Sequence, residues 1–442
     1  MRHIVIAGCL IVVTACGRSA RVPAEAGYGA TPVLPEPSPS LIPVMQIAPG
    51  TGWPVGLSPS AAPGLRVTAF ASQLDHPRFV YALPNGDVLV AETNAPPRPD
   101  DAKGIKGWFF KRFQKKAGGA VPSADRITLL RDADGDGMAE LRSVFVSGLV
   151  SPFGMTLVDS TLYVANTDAV VRFTYRTGAV ALVGAGTVVT ALPAGTLNHH
   201  WTKTIVASPD GRTLYVSIGS NSNVGENGLD VERDRAMIWA IDPRTGSHRV
   251  FATGLRNAAG LAIEPVTGTL WAAVNERDEL GSDLVPDYMT SVREGAFYGW
   301  PYSYFGQHVD TRVKPQQPEL VARAVVPDYA LGAHTASIGL VPSTGVRMPN
   351  RFCTGMFVGQ HGSWNRKPPA GYRVIFVPFA DGKPAGPPID VLTNFLSNDA
   401  ARGRPVGVAV DAAGGLLVAD DVGNTIWRVS GDGGAIPQCR TR

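Results

Sequence analysis

One phrase, repeated six times, limits what this chain can fold into: a turn containing Asp, Asn or Gly, then an alternating apolar strand, then a polar loop. The copies are Pro84–Val90, Asp159–Val164, Pro209–Val216, Thr267–Trp271, Thr354–Val358 and Ala413–Val418. A strand-turn unit of this kind cannot bury its apolar face alone, so divergent copies stabilise one another by stacking. Spacings of about fifty to ninety residues suit blades of four strands. They exceed the roughly 40 to 45 residues of compact blades, so the loops are long, and long loops are where binding groups sit. The expectation is an all-β chain folded as a six-bladed β-propeller with four-stranded antiparallel blades.

Composition agrees. Apolar residues make up 44% of the 442 and charged residues only 17%, with 50 Gly and 36 Pro, which suits short strands and tight turns rather than long surface helices. The formal net charge is +3, and basic residues alternate with acidic ones along the chain. No electrostatic footprint for nucleic acid results, and that class of partner is excluded.

The N-terminal residues read as a targeting segment: Arg2 and His3, then an apolar run from Ile4 to Val13 too short to span a bilayer. Val13-Thr14-Ala15-Cys16 is similar to a bacterial lipobox, so residues 1–15 are expected to be a lipoprotein signal peptide and Cys16 the lipid-bearing residue. The alternative, an ordinary secretory signal with an incidental Cys16, exports the chain as well, to the periplasm or the cell surface. Residues 16–64, rich in Pro, Ala, Ser and Gly, are expected to be a tether, and residues 65–442 a single propeller. Beyond Cys9 and Cys16 only Cys353 and Cys439 remain. They can pair in an oxidising compartment or stay as two buried thiols.

Two insertions interrupt the repeat. Lys103 to Lys116 interleaves Trp108, Phe109, Phe110 and Phe113 with lysines and an arginine, the composition of a segment lying on an anionic lipid surface or of a loop packed on the blade beneath. Gly281 to Gly306 carries Asp283, Asp287, Tyr288, Tyr298, Trp300, Tyr302 and Tyr304, aromatics that suit either a sugar-binding wall or a core.

Chemistry concentrates in the loops that precede the strands. Asn198-His199-His200-Trp201-Thr202-Lys203 offers adjacent imidazoles, and a neutral imidazole can take a proton from a hydroxyl. Gly254-Leu255-Arg256-Asn257 supplies a guanidinium for a carboxylate or a developing oxyanion, and Asn275-Glu276-Arg277-Asp278 supplies oxygens for a hard cation. Arg402-Gly403-Arg404-Pro405 adds cations before the last strand phrase. These loops fall at matching points of different blades, so a propeller gathers them at one mouth of its channel. Asp132-Ala133-Asp134-Gly135-Asp136-Gly137 starts like a calcium loop, but Ser143 stands where an EF-hand has its twelfth-position glutamate. An Asp- and Gly-rich turn needing no metal explains it equally.

From about Leu65 to Val429 the chain resembles the pyrroloquinoline-quinone-dependent sugar dehydrogenases, in particular the sorbosone dehydrogenase branch and, more distantly, soluble quinoprotein glucose dehydrogenase. The phrases that carry the resemblance are the His200 loop with Ser208-Pro209-Asp210-Gly211, Gly254-Leu255-Arg256-Asn257, Asn275-Glu276-Arg277-Asp278, Phe297-Tyr298-Gly299-Trp300-Pro301, His361-Gly362-Ser363-Trp364-Asn365-Arg366 and Gly403-Arg404-Pro405-Val406-Gly407. The resemblance implies His200 as general base. It implies Arg256 and Asn257 as cofactor contacts, with Arg256 facing the quinone oxygen where charge develops. Arg402 and Arg404 would grip the cofactor carboxylates, and Arg366 would stand for the family's cofactor-binding lysine. Backbone carbonyls of Glu276 and Arg277 would hold calcium. The chain departs from soluble glucose dehydrogenase at His199, which replaces an acidic neighbour of the base, and around Ser151-Pro152-Phe153-Gly154, where the family's glutamine has no counterpart.

The expected activity is oxidation of a sugar, aldose or polyol by hydride transfer to the quinone. The chain has no Cys-x-x-Cys-His haem signature, which implies an external electron acceptor. Two rivals stand beside it: a metal-dependent lactonase-type hydrolase, which needs Glu, Asn and Asp side chains around the channel, and a non-catalytic propeller that binds a glycan or protein partner.

Overall fold

All six repeated phrases lead into the second strand of a blade. The computed structural model describes residues 17–40, 44–97, 112, 115–184, 186–433, 436, 438 and 439. The signal segment, Cys16 and most of the Lys103 to Lys116 insertion lie outside the described residues. Blade 1 is built from Pro77–Ala82, Val88–Glu92, Arg126–Arg131 and Leu141–Ser147; blade 2 from Met155–Val158, Thr161–Ala165, Ala169–Thr174 and Thr187–Ala191; and blade 3 from Ile205–Ala207, Leu214–Ile218, Met237–Ile241 and His248–Thr253. Blade 4 takes Ala258–Ile263, Leu270–Val274, Pro286–Ser291 and Tyr329–Ala333, and blade 5 takes Ser337–Pro342, Gly355–Gln360, Arg373–Ala380 and Ile389–Thr393. Blade 6 pairs Pro405–Val410, Leu416–Asp420 and Thr425–Gly431 with Leu65–Ala71 from the other end of the chain. Every pairing within a blade is antiparallel. The chain is a six-bladed β-propeller.

Blade 6 closes the ring. Leu65 lies opposite Gly431 and Ala71 opposite Ile426, so the strand edge that an open ring would leave is paired. The Cys353–Cys439 disulfide, with Cα atoms 5.0 Å apart, ties the C-terminal tail to blade 5.

The core is divided as the architecture requires. Six apolar clusters lie between successive blades, for example Leu89, Ile127, Leu162 and Val164 between blades 1 and 2, and Val80, Val90, Leu417 and Ile426 between blades 6 and 1. A seventh cluster, Phe153, Trp201, Ala259, Ile338 and Val406, is drawn from the innermost segments of five blades and stoppers the axis. Innermost strands approach backbone to backbone there. A Cβ on Gly339 would stand 2.2 Å from the Val406 carbonyl, and one on Gly407 2.8 Å from that of Arg78, so side chains at these positions would push blades 5, 6 and 1 apart.

The segment expected to be a tether does not hang free over its described residues. Tyr28–Gly29 extends blade 4 beside Tyr329–Ala333, Ser60–Ala61 extends blade 5 beside Ile389–Thr393, and the Trp53 indole donates to Asp420 Oδ2 at 2.7 Å. Its Pro- and Gly-rich backbone has few partners of its own, and the blades supply them. The aromatics of the Gly281 to Gly306 insertion are core groups: Tyr288, Tyr298 and Tyr304 are buried in the cluster between blades 3 and 4. No helix among the described residues is long and apolar enough to cross a membrane.

Candidate active site

Antiparallel order places the residues before each first strand and those after each second strand at one end of the ring. That end carries the chemistry. Two adjoining cavities open there, sharing Arg78, Ala117, Gly119, Ala336 and Trp364.

The larger, of about 470 Å³, lies against blades 3 to 5 and the edge of blade 1 at Arg78 and Asn94, and brings together His199, His200, Arg256, Asn257, Asn275, Glu276 and Asp278. His200, just before blade 3, sets its Nδ1 2.9 Å from the Ser220 carbonyl, which follows the second strand of the same blade. A carbonyl only accepts, so Nδ1 carries the proton in the neutral ring and Nε2 is the basic nitrogen. The Ser220 hydroxyl is itself committed, donating to Ser222 O at 2.7 Å. Trp201, the next residue, belongs to the axial cluster and forms the floor.

Arg256, 3% exposed, is fixed from four directions. Its Nε donates to Asn223 O at 3.1 Å, Nη2 to Asn223 Oδ1 at 3.0 Å and Nη1 to Glu276 O at 2.8 Å, while Asp278 Oδ2 lies 3.7 Å from Nη2. Asp278 also accepts from Asn365 Nδ2 at 2.6 Å and stands 3.5 Å from His334 Nδ1. Burial works to raise the Asp278 carboxyl, but the His334 hydrogen bond and the charges of Arg256 and His334 prevail and hold it below its ordinary value. His334 moves the other way: burial alone would lower it, yet Asp278 and the Gly281 carbonyl, 2.9 Å from Nε2, raise it. Asp287, which accepts from the Glu276 N–H at 2.9 Å and the Ser337 N–H at 2.9 Å, is pushed up to about 6 by burial.

The smaller cavity, about 230 Å³, lies against blades 5, 6 and 1 and is lined by His76, Arg78, His361, Arg404 and Asp421 together with apolar Met45, Ile47, Trp364 and Val422. Asp421 Oδ2 accepts from Arg78 Nη1 at 2.7 Å and His361 Nε2 at 2.9 Å. Burial would raise this carboxyl, but His361, His76 and Arg78 hold it far below the usual carboxylate range. Asp420, one residue earlier, faces away. It accepts from the Arg404 and Gly423 amides, both at 2.8 Å, and from the indoles of Trp53 at 2.7 Å and Trp427 at 3.0 Å, and burial pushes it up to about 6.

Of the residues singled out from sequence, His200, Arg256, Asn257 and Glu276 meet in the larger cavity and Arg404 lines the smaller. Arg277 points into the protein, fully buried, on Glu276 Oε2, Asp310 Oδ2 and the carbonyls of Pro301 and Ser303. Arg366 donates to Pro368 O at 2.7 Å and Arg402 is held by its amide on Phe395 O; neither side chain lines either of these two cavities. Asp132, Asp134, Asp136 and Glu140 bring ligand atoms within 4.8 Å of one another on the blade 1 loop before Leu141. Glu140 there provides the acid that Ser143 does not.

Sequence reasoning missed His76, Arg78, His334 and Asp421. A signal existed: Asp421 and His361 each follow the strand of a repeated phrase by one residue, and His76 and His334 each stand just before an innermost strand.

The sequence pattern of the family described as TrAA12-like matches residues 123–294 and 308–432. An uncharacterised protein of Borreliella burgdorferi is 29% identical over 241 residues, 54% of this chain and 62% of that protein. A pyrroloquinoline quinone-dependent pyranose dehydrogenase of Coprinopsis cinerea is 27% identical over 301 residues, 54% of this chain and 41% of that protein. The chain therefore spans less than two thirds of these curated relatives. A Trichoderma reesei carbohydrate-active enzyme of family AA12 superposes with a TM-score of 0.68 at 19% identity, covering 88% of this chain and 99% of that one. The holo pyranose dehydrogenase quinone domain from Coprinopsis cinerea superposes with a TM-score of 0.66 at 20% identity, covering 87% and 100%. At such identities the superpositions speak for the fold.

Proposed function

The chain belongs to the TrAA12-like family, and from that premise we propose that it is a pyrroloquinoline-quinone- and calcium-dependent oxidoreductase acting on a sugar, aldose or related alcohol. The observation that carries this is the convergence of His200, Arg256 and Asn257, from two blades, on one cavity above an apolar floor. The residues suit both groups. Arg404 keeps a buried Nε without a partner among the described residues, ready for a carboxylate. The Glu276 carbonyl, although it accepts from Arg256, has a second lone pair for a hard cation, and Glu226, Asp278, Glu279 and Asp287 line the same cavity.

When bound, the quinone supplies a two-electron oxidant and calcium a Lewis acid. The protein does the rest. His200 takes the substrate hydroxyl proton on Nε2 while Ser220 holds the ring, which makes a base of the required tautomer. Arg256, fixed by Asn223, Glu276 and Asp278, offers positive charge where negative charge develops, without reorganising. Trp201 and the axial cluster exclude water from below. We further propose export through the N-terminal segment with a lipid anchor at Cys16, and delivery of electrons to an external acceptor. Sorbosone-type specificity belongs to the same proposal.

Protein reconstituted with quinone and calcium should reduce an artificial dye when offered aldoses. Failure across a broad sugar and alcohol panel, with no quinone absorbance retained on the protein, sinks the reading. One observation favours a second reading: Asn94, Asn223, Asn275 and Asn365 join the carboxylates around the larger cavity, a set that suits a metal-dependent lactonase. Lactone hydrolysis abolished by chelator and indifferent to quinone would select it.

A further inference from the structure

The N-terminal segment docks on the end of the ring that carries both cavities. The amides of Arg21 and Val22 donate to the Asp283 carboxylate at 2.8 and 3.3 Å. The Ala20 amide donates to Lys367 O at 2.7 Å, and the Ser282 hydroxyl donates to Arg18 O at 2.7 Å. Ser282 and Asp283 follow the second strand of blade 4, and Lys367 follows that of blade 5, in the loops that also bring Asp278 and Trp364 to the cavities. Gly17, the first described residue, is set as closely. A Cβ there would stand 2.7 Å from the Val44 amide nitrogen and 3.1 Å from Ser40 Oγ, so Gly17 lies against the stretch that continues into Met45 and Ile47 of the smaller cavity's wall. That stretch is itself fixed to the rim, the Gln46 amide donating to Trp364 O at 3.0 Å.

The path decides how a lipid at position 16 would hold the protein. Cys16 is one peptide bond from Gly17, about 3.8 Å between Cα atoms. A flexible tether over residues 16–64 would reach roughly 35 to 40 Å and leave the propeller free to turn. A docked one leaves no such slack. Arg18 and Arg21, both exposed, put positive charge beside position 16, where anionic headgroups would lie. We propose that a lipid carried by Cys16 holds the mouth of the ring against the membrane surface, with the hairpin turns of the repeated phrases at the opposite end facing away. The inference rests on the lipid-anchor reading and adds an orientation to it.

The test is contact quenching on phosphatidylcholine vesicles that contain a headgroup-nitroxide lipid, using the full chain matured from its own leader. A fluorophore is placed on single cysteines at exposed positions, Asn227→Cys or Lys367→Cys at the mouth and Arg212→Cys or Val266→Cys at the hairpin end. Cys353 and Cys439, joined to each other, take no label. Circular dichroism confirms folding, and the mass of the N-terminal peptide reports lipid on Cys16. The two ends lie at least a strand's length apart, about 17 to 20 Å, so mouth labels should be quenched about threefold or more over hairpin labels. Inserting about 20 Gly and Ser residues between Cys16 and Gly17, a linker of roughly 25 Å reach, should abolish the contrast. Equal or reversed quenching in the lipid-bearing chain overturns the orientation and leaves the anchor standing, and a contrast that survives the linker overturns the docked segment as its cause. If Cys16 carries no lipid, the anchor reading falls and the orientation with it.

Discussion

On the side of blades 3 to 5, the mouth sets Arg256 among Glu226, Asp278, Glu279 and Asp287; on the side of blades 5, 6 and 1, it sets Arg78 and Arg404 around Asp421. The first half has acid to spare and suits a divalent cation and a polyol. The second has base to spare and suits a carboxylate. Their histidines differ in the same sense. His334, beside Asp278, is raised, whereas His76 and His361, sharing Asp421 with a guanidinium, are lowered by burial. Burial lowers all three; at His334 the hydrogen bonds and charge from Asp278 and the Gly281 carbonyl outweigh it, whereas at His76 and His361 nearby positive charge, from Arg78 and Arg404, adds to burial and Asp421 does not prevail.

The largest effect should come from the acid-rich half. His200→Ala should lower the rate of dye reduction by about 10²- to 10⁴-fold while quinone affinity stays within a few-fold, measured by steady-state kinetics beside absorbance titration. Loss of binding and rate together would mean that His200 holds the ligand rather than the proton. Next, Asp278→Asn leaves Arg256 and His334 without their shared charge, and the calcium concentration for half-maximal activity should rise roughly tenfold. An unchanged calcium requirement with unchanged rate would remove Asp278 from the site.

The base-rich half is exposed instead through acid. The folded pKa of His76, about 4, lies below the ordinary 6.5. Its contribution to stability is therefore complete above pH 6.5 and is lost as pH falls from there toward 4, by about 3 kcal/mol in all. Urea midpoints between pH 7 and 4.5 should fall for the unmutated protein and fall less for His76→Gln. Parallel slopes would exclude His76 as the source. The smallest effect concerns the segment that crosses this half: Trp53→Phe removes the indole donor to Asp420 and should cost about 1 to 2 kcal/mol, read as a drop of a few degrees in Tm with quinone affinity unchanged.

What could be seen from sequence follows the same division. The six phrases revealed the blades because each is local, a turn and a strand within about eight residues. His200, Arg256 and Asn257 were visible because each stands in a polar loop just before such a strand. The Asp421 group was not, since His76 and Arg78 approach Asp421 only when the first blade meets the last, across nearly the whole chain. Side-chain direction was equally hidden: Arg366 and Arg402 sit in the expected phrases, yet their side chains turn to positions that line neither cavity. The path of the Pro-rich segment left no periodicity to read, because the blades, and not its own sequence, decide where its hydrogen bonds go.

Phe153, Trp201, Ala259, Ile338 and Val406 fill the axis, and Trp201 also lines the larger cavity. Among the described residues, a ring closed at its centre leaves one open mouth, the end that carries both cavities. For the proposed oxidoreductase, alcohol and electron acceptor must then visit the same vestibule in turn, each obstructing the other at high concentration, and the carbonyl product must clear it before the acceptor can enter.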